Sequence, residues 1–143
     1  MISSIEVKNF KCFDYLRLPL SKLTILAGGN AAGKSTVIQA LLLADATIRE
    51  KSDSVDASEA LGVAVGGPKA LISQNRTESS EGDFQFHIQW DEKEATFVYR
   101  IDRLVSLKLS YGQSGNPPES QLFYLNAERM GPRISYPAGT DEE

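Results

Sequence analysis

The stretch that decides the fold runs from residue 23 to residue 41 and reads LTILAGGNAAGKSTVIQAL. It opens with the short apolar run Leu23–Ala27, which is typical of a strand buried on both faces in a parallel sheet. A glycine-containing loop over residues 28–36 follows. From Val37 to Glu50, apolar residues recur at the spacing of an amphipathic helix. Strand, glycine loop and helix in this order form the context in which phosphate-binding loops occur.

The loop itself matches the pattern G-x-x-x-x-G-K-[ST]. Its glycines allow successive backbone N–H groups to surround a phosphate, and the following helix N-terminus adds partial positive charge. We expect Lys34, the predicted catalytic residue, to reach the β- and γ-phosphates and the Ser35 hydroxyl to ligate Mg²⁺. The predicted cofactors are therefore ATP and Mg²⁺. The predicted nucleotide-binding residues of the loop are Gly28, Gly29, Asn30, Ala31, Ala32, Gly33, Lys34, Ser35 and Thr36.

Length and composition are those of one ordinary domain, with 143 residues, 41% hydrophobic residues and a net charge of −4. The acidic balance argues against a free-standing nucleic-acid binder, which needs a basic face, so DNA contacts are expected through other segments. Cys12 is the single cysteine, which excludes an intrachain disulfide and favours a cytoplasmic protein. No apolar stretch has the length of a signal peptide core or a membrane span, so no membrane partner is predicted.

The remaining elements complete an α/β fold with a mixed sheet. Strands are predicted at Ile2–Val7 and Tyr15–Leu20, and the polar segment Lys51–Glu59 is predicted as a loop or frayed helix end. Alternating apolar and polar residues predict an antiparallel β meander over residues 84–111, followed by a loop over 112–120. Its three predicted strands are Phe84–Trp90, Thr96–Ile101 and Leu104–Tyr111.

The segment IEVKNFKCFDYLRLPLSKLTILAGGNAAGKSTVIQAL resembles the start of the ABC-type ATPase heads of the SMC, RecF and OLD group, which are AAA-family P-loop ATPases. Ala31 stands where the family usually has glycine, which limits how freely the loop bends. The resemblance implies that Lys11 reaches the phosphates, and the alternative is a solvated lysine. Asn30 either caps the turn or faces a partner's signature loop across a dimer. The matching residues are Asn9, Phe10, Lys11, Phe13, Gly28, Asn30, Gly33, Lys34 and Ser35.

The segment LFYLNAERMGPR at residues 122–133 resembles a strand-to-loop segment of bacterial AAA-family ATPases of the OLD-like and defence-system kind. The corresponding strand of ABC-type heads ends in the Q-loop, and the resemblance places Glu128 or Arg129 in that nucleotide-binding region. The alternative is a surface loop whose charges pair with each other. Residues 1–143 are thus predicted to be the N-terminal lobe of a P-loop ATPase domain. Its parts are the P-loop strand and helix at 23–50, the meander at 84–111 and the Q-loop-like segment at 122–133.

Two elements of a complete ATPase head, the signature loop and the Walker B strand, have only weak matches in this sequence. Leu109–Gln113 resembles the signature loop, but the proline-containing segment after it has no helical pattern. Ile88–Glu92 ends in Asp-Glu like a Walker B strand, but its alternation predicts an amphipathic hairpin, and Leu122–Glu128 has Asn126 at the metal-binding position. We expect the signature and Walker B elements beyond Glu143 or in a companion chain, and an incomplete head that is inactive alone.

The resemblance implies an ATPase that hydrolyses ATP when two heads dimerise, in DNA processing, repair or anti-phage defence. The implied partners are a second copy or another head, and a nuclease or other effector chain. One alternative is a non-catalytic nucleotide-sensing or assembly module. Another is a different P-loop NTPase such as a small kinase or GTPase, for which we find neither an acceptor site nor an N-K-x-D motif.

Overall fold

The computed structural model of the chain describes residues 1–50, 52–61, 67–74, 83–101, 108–119 and 122–125. No helix within these ranges is both long and apolar enough to cross a membrane. The elements in chain order are β1 (Ile2–Phe10), β2 (Phe13–Pro19), α1 (Lys34–Glu50), β3 (Ser54–Asp56), α2 (Ala57–Leu61), a 3-10 turn (Pro68–Leu71), β4 (Phe84–Trp90), β5 (Glu94–Ile101) and β6 (Lys108–Gly115).

The strands form one sheet in the order β2-β1-β4-β5-β6-β3, and each neighbouring pair is antiparallel. Two local hairpins, β1–β2 and β4–β5, meet where β1 pairs with β4. The β4–β5 hairpin is closed by a hydrogen bond from the Trp90 amide to the Lys93 carbonyl at 2.7 Å. In the β1–β4 register, Val7 lies opposite Phe86, and Phe86 in turn lies opposite Phe97 of β5. Rows of apolar side chains therefore run across one face of the sheet.

The core lies between this apolar face and α1. Alternate residues of the strands are buried, as the two-residue period of a strand requires, and α1 contributes Ala40, Leu43 and Ala44. The Tyr99 hydroxyl on β5 hydrogen-bonds the Thr47 hydroxyl of α1 at 2.9 Å, and full burial raises the pKa of Tyr99. The helix that follows the glycine loop is thus anchored to the sheet along its length.

The expected P-loop strand at Leu23–Ala27 is wrong for the structure. This segment is not in the sheet, and Leu23 and Ile25 are 77% and 79% exposed. A strand buried on both faces needs a neighbour beside it and cover above and below, and no strand in the described ranges pairs with it. The same holds for the apolar run 122–125, in which Phe123 and Leu125 are 93% and 91% exposed. The mixed sheet is therefore not confirmed, because its parallel part is absent from the described residues.

Two further predictions are wrong because strands pair with partners that are distant in the sequence. The polar segment Lys51–Glu59 contains β3 and most of α2 rather than a loop, because the buried Val55 lies opposite Leu109 of β6. The third strand of the meander continues past its predicted end at Tyr111 to Gly115, because its pairing with β5 runs on to that residue. Residues 102–107 lie outside the described part of the chain.

Candidate phosphate-binding loop

The loop over residues 28–36 leads directly into α1. The helix begins at Lys34, and its first intrahelical bond joins the Val37 amide to the Gly33 carbonyl at 3.2 Å. The amides of the first helical turn have no carbonyl partner within the helix, and together they carry a partial positive charge. The first turn contains no acidic residue to neutralise that charge. The N-terminus of α1 is therefore suited to a negatively charged group.

The Lys34 side chain reaches back across the loop. Its ammonium donates hydrogen bonds to the carbonyl oxygens of Gly28 and Gly29 at 2.7 and 2.5 Å. A backbone bond from the Ala32 amide to the same Gly29 carbonyl, at 3.4 Å, closes the turn between them. The Lys34 ammonium is thus tied to the beginning of the loop, while the Lys34 backbone lies at the start of α1.

The two hydroxyl residues after Lys34 have different surroundings. Ser35 is exposed at the helix start. Thr36 is buried, and its Oγ1 accepts a hydrogen bond from Cys12 Sγ at 3.6 Å. Within the described ranges, no cluster of three or more His, Cys, Asp or Glu side chains could hold a metal ion. Mg²⁺ bound through one hydroxyl and nucleotide phosphate oxygens requires no such cluster, because Mg²⁺ keeps several of its waters. Of the two hydroxyls, that of Ser35 is the one exposed to solvent, and its role as a metal ligand stays a prediction.

Ala31 adopts the left-handed backbone conformation with φ +62°, where the sequence already departs from the usual glycine. An L-residue in this conformation costs about 1–2 kcal/mol, which glycine avoids. Asn30 beside it is exposed, and both of its alternative roles stay predictions. Ala31 is therefore a strained position of the loop, whereas the other residues of the loop with positive φ, Gly28 and Gly33, are glycines.

We expect the Ala31→Gly substitution to leave stability unchanged or to raise it by up to about 1 kcal/mol, because relief of the strain offsets the greater freedom of glycine in the unfolded chain. Ala32→Gly is the matched control, since Ala32 has no positive φ, and it is expected to lower stability by about 0.5–1 kcal/mol. Urea unfolding of both variants checks this. An equal loss of stability in the two would show that Ala31 is not strained.

Lys11 lies at the turn between β1 and β2. Its ammonium donates a hydrogen bond to Gln39 Oε1 at 2.7 Å and lies 5.9 Å from the centre of the Phe10 ring. Partial burial lowers the pKa of Lys11. This hydrogen bond places the ammonium beside the second turn of α1 rather than at Gly28 and Gly29. The predicted residues Glu128 and Arg129 lie outside the described part of the chain.

The structure brings two residues to the loop whose role the sequence did not reveal. The exposed Cys12 contacts Thr36, and the half-buried Phe13 ring packs against Gly33. A Cβ built on Gly33 would overlap Cζ of Phe13 and lie 3.0 Å from Cys12 Sγ. The signal in the sequence is the pair of aromatic residues Phe10 and Phe13, which flank the β1–β2 turn. This pair contributes to the family resemblance but predicts no contact with the loop.

The sequence's imitations of other catalytic elements lie elsewhere. Leu109–Gln113 is part of β6 and begins no helix. Asp91 is in the β4–β5 turn, where it accepts a hydrogen bond from the Met1 amino group at 2.7 Å. Neither of these two imitations is part of the loop.

Comparison with known proteins gives two matches. A family model described as AAA ATPase domain matches residues 1–128. A segment of 41 residues is 44% identical to the OLD nuclease of Thermus scotoductus (strain ATCC 700910 / SA-01). That segment is 29% of this chain and 8% of the relative, so the alignment covers only a small part of the relative's length.

Proposed function

Because the chain belongs to the AAA ATPase domain family, we propose that it binds ATP and Mg²⁺ through the loop over residues 28–36. The observation that carries the proposal is the position of Lys34, whose ammonium bridges the carbonyls of Gly28 and Gly29. In phosphate-binding loops the lysine at this place in the pattern reaches the β- and γ-phosphates, and the helix N-terminus beside it favours a negative charge.

Each group of the loop has a distinct task in this proposal. The free amides at the start of α1 donate hydrogen bonds to phosphate oxygens. Lys34 holds the β- and γ-phosphates, and the exposed Ser35 hydroxyl holds the cation. Bound Mg²⁺ neutralises charge that develops on the transferred phosphoryl group. The loop's own residues thus bind and orient the nucleotide and contribute positive charge beside it.

Hydrolysis also requires a residue that orients the attacking water. The Walker B imitation Ile88–Glu92 runs from β4 into the β4–β5 turn, and the signature imitation Leu109–Gln113 lies in β6. The second Walker B imitation, Leu122–Glu128, lies partly outside the described ranges. In this proposal the water-orienting and signature elements come from further sequence or a companion chain. ATP is then hydrolysed when two heads dimerise, and Asn30 and the region of Glu128 and Arg129 belong to the completed site.

The biological setting is proposed from the relative. The relative's name assigns it nuclease activity, and its short match supports a role for this chain in DNA processing, repair or anti-phage defence. Because the chain has a net charge of −4, we place DNA contacts on other segments or on an effector such as a nuclease. The proposed protein is cytoplasmic and works as a dimer or head–head assembly.

The test compares ATP binding by the wild-type protein, Lys34→Ala and the matched control Lys93→Ala, whose lysine is in the β4–β5 turn. Loss of the charged hydrogen bonds from Lys34 is expected to weaken binding by about tenfold to a hundredfold. Lys93→Ala is expected to bind like the wild type, with an affinity that depends on Mg²⁺. Equal affinity in all three proteins would refute the proposal.

Two further measurements separate binding from catalysis. Bound ATP is expected to slow the reaction of Cys12 with a thiol reagent, because Cys12 lies beside Thr36 at the loop. When the further sequence or the companion chain is present, phosphate release per molecule is expected to rise with protein concentration, because heads must dimerise in this proposal. Binding and Cys12 protection without phosphate release at any concentration, alone or with neighbouring chains, would favour the nucleotide-sensing alternative.

A further inference from the structure

The β1–β2 turn is strained although it contains no glycine. Asn9 and Lys11 both have positive φ, at 56° and 53°. Asparagine visits this region readily, but a lysine there costs of order 1–3 kcal/mol and persists only where the surroundings hold it in place. Contacts on the two sides of the turn hold it in this conformation, and one of those sides is the phosphate loop with α1.

One side of the turn is held by residues 71–73. The Lys11 amide donates to the Leu71 carbonyl at 2.9 Å, and the Ser73 amide donates to the Asn9 carbonyl at 2.9 Å. The Ser73 hydroxyl also hydrogen-bonds Asp14. These bonds join the turn to a segment in which Leu71 is fully buried, so the turn is fixed to the core.

The other side of the turn contacts the phosphate loop and α1. Lys11 bonds Gln39, and Cys12 contacts Thr36, both on the helix. The Phe13 ring packs against Gly33, at the point where a side chain would overlap it. Gly33 has φ +85° and provides the first helical carbonyl, so its orientation sets the direction in which the next residues leave the loop.

We propose that Phe13 is a positioning residue for the phosphate loop, and that its ring sets the conformation of Gly33 and thereby the placement of Lys34 and Ser35. This inference rests on the proposed nucleotide binding. Phe13 touches no nucleotide in this role and acts through the backbone of Gly33. The strained turn gives the ring a fixed position, because residues 71–73 and α1 hold it from both sides.

The experiment measures ATP affinity and thermal stability of Phe13→Leu and Phe13→Ala. Tyr15→Ala, which truncates a 57% exposed aromatic residue of the same strand, is the control. Phe13→Ala is expected to bind ATP about tenfold more weakly, and Phe13→Leu about threefold, as a graded loss of the loop's preorganisation. Tyr15→Ala is expected to bind like the wild type. Phe13→Leu remains informative if Phe13→Ala fails to fold.

Two readouts distinguish positioning from a general loss of stability. Removing the ring is expected to shift the NMR signals of Gly33 in the nucleotide-free protein, whereas Tyr15→Ala leaves them in place. Phe13→Leu is also expected to recover part of the ATP affinity lost by Gly33→Ala, because it makes room for the added methyl group. A general stability defect would instead make the double variant weaker than either single variant.

The outcomes separate this inference from the proposed function. Wild-type affinity in folded Phe13→Ala and Phe13→Leu, with binding still lost in Lys34→Ala, would overturn the positioning role and leave nucleotide binding intact. Unchanged Gly33 signals in Phe13→Leu would overturn the contact itself. If the wild-type protein binds no ATP, the proposed function fails and the positioning role fails with it.

Discussion

Replacing Gly33 with alanine is expected to weaken ATP binding by at least about tenfold, which corresponds to about 1.4 kcal/mol. Two effects combine in this variant. An L-residue at φ +85° costs about 1–2 kcal/mol, and its methyl group overlaps Cζ of Phe13. Because the contacts of the β1–β2 turn hold the Phe13 ring, we expect the loop rather than the ring to move, and with it Lys34 and Ser35, which bind phosphate and Mg²⁺ in the proposed function.

Gly29→Ala is the matched control in the same loop. A Cβ built on Gly29 meets no atom within 4 Å, and its φ is not positive. We therefore expect this variant to bind ATP within about threefold of the wild type, a difference below 1 kcal/mol. Titration of both variants with ATP and Mg²⁺ checks the prediction. Affinities within about threefold of the wild type in both variants would mean that neither φ nor the Phe13 contact at Gly33 matters for binding.

The Phe86→Ala substitution is expected to have the largest effect on stability. Phe86 is fully buried in β4, with ring centres of Phe10 and Tyr99 at 5.0 and 5.2 Å. Removing a buried phenylalanine ring costs about 3–5 kcal/mol, a large share of the 5–15 kcal/mol typical of a domain. We expect the melting temperature to fall by about 10–20 °C, or the chain to fail to fold.

Phe123→Ala makes the same chemical change at a residue that is 93% exposed. It removes no core contact of the folded chain, so its effect on stability is expected within about 0.5 kcal/mol of zero. Thermal unfolding followed by circular dichroism compares the two variants. A similar fall in melting temperature for both would show that Phe123 is buried in solution, and that the core extends to residues 122–125.

The parts of the fold that the sequence predicted are those specified by local pattern. Helix α1 follows from apolar spacing after a glycine loop, and strands β1, β4 and β5 follow from alternation. The failures share a different cause. β3 contains a single buried apolar residue, Val55, and exists because β6 lies beside it, which no local window can show.

The candidate site divides in the same way. The order of residues in the loop predicts Lys34 and Ser35, because the chemistry of phosphate binding requires those residue types at that spacing. The contacts of Lys11 with Gln39 and of Cys12 with Thr36 join residues 28 and 24 positions apart. The sequence alone left two alternatives for Lys11, a phosphate ligand or a solvated lysine. Its hydrogen bond to Gln39 forms because the β1–β2 hairpin packs beside α1.

By itself the sequence determined that this chain carries the pattern of a phosphate-binding loop ahead of an amphipathic helix, because consecutive residues specify both features. Only the tertiary structure decided that Leu23–Ala27 stands outside the sheet and that the Phe13 ring packs against Gly33. The physical reason is that burial and contact depend on which distant segments pack together. An apolar run becomes a core strand only where a neighbour pairs with it, and the described part of this chain supplies none.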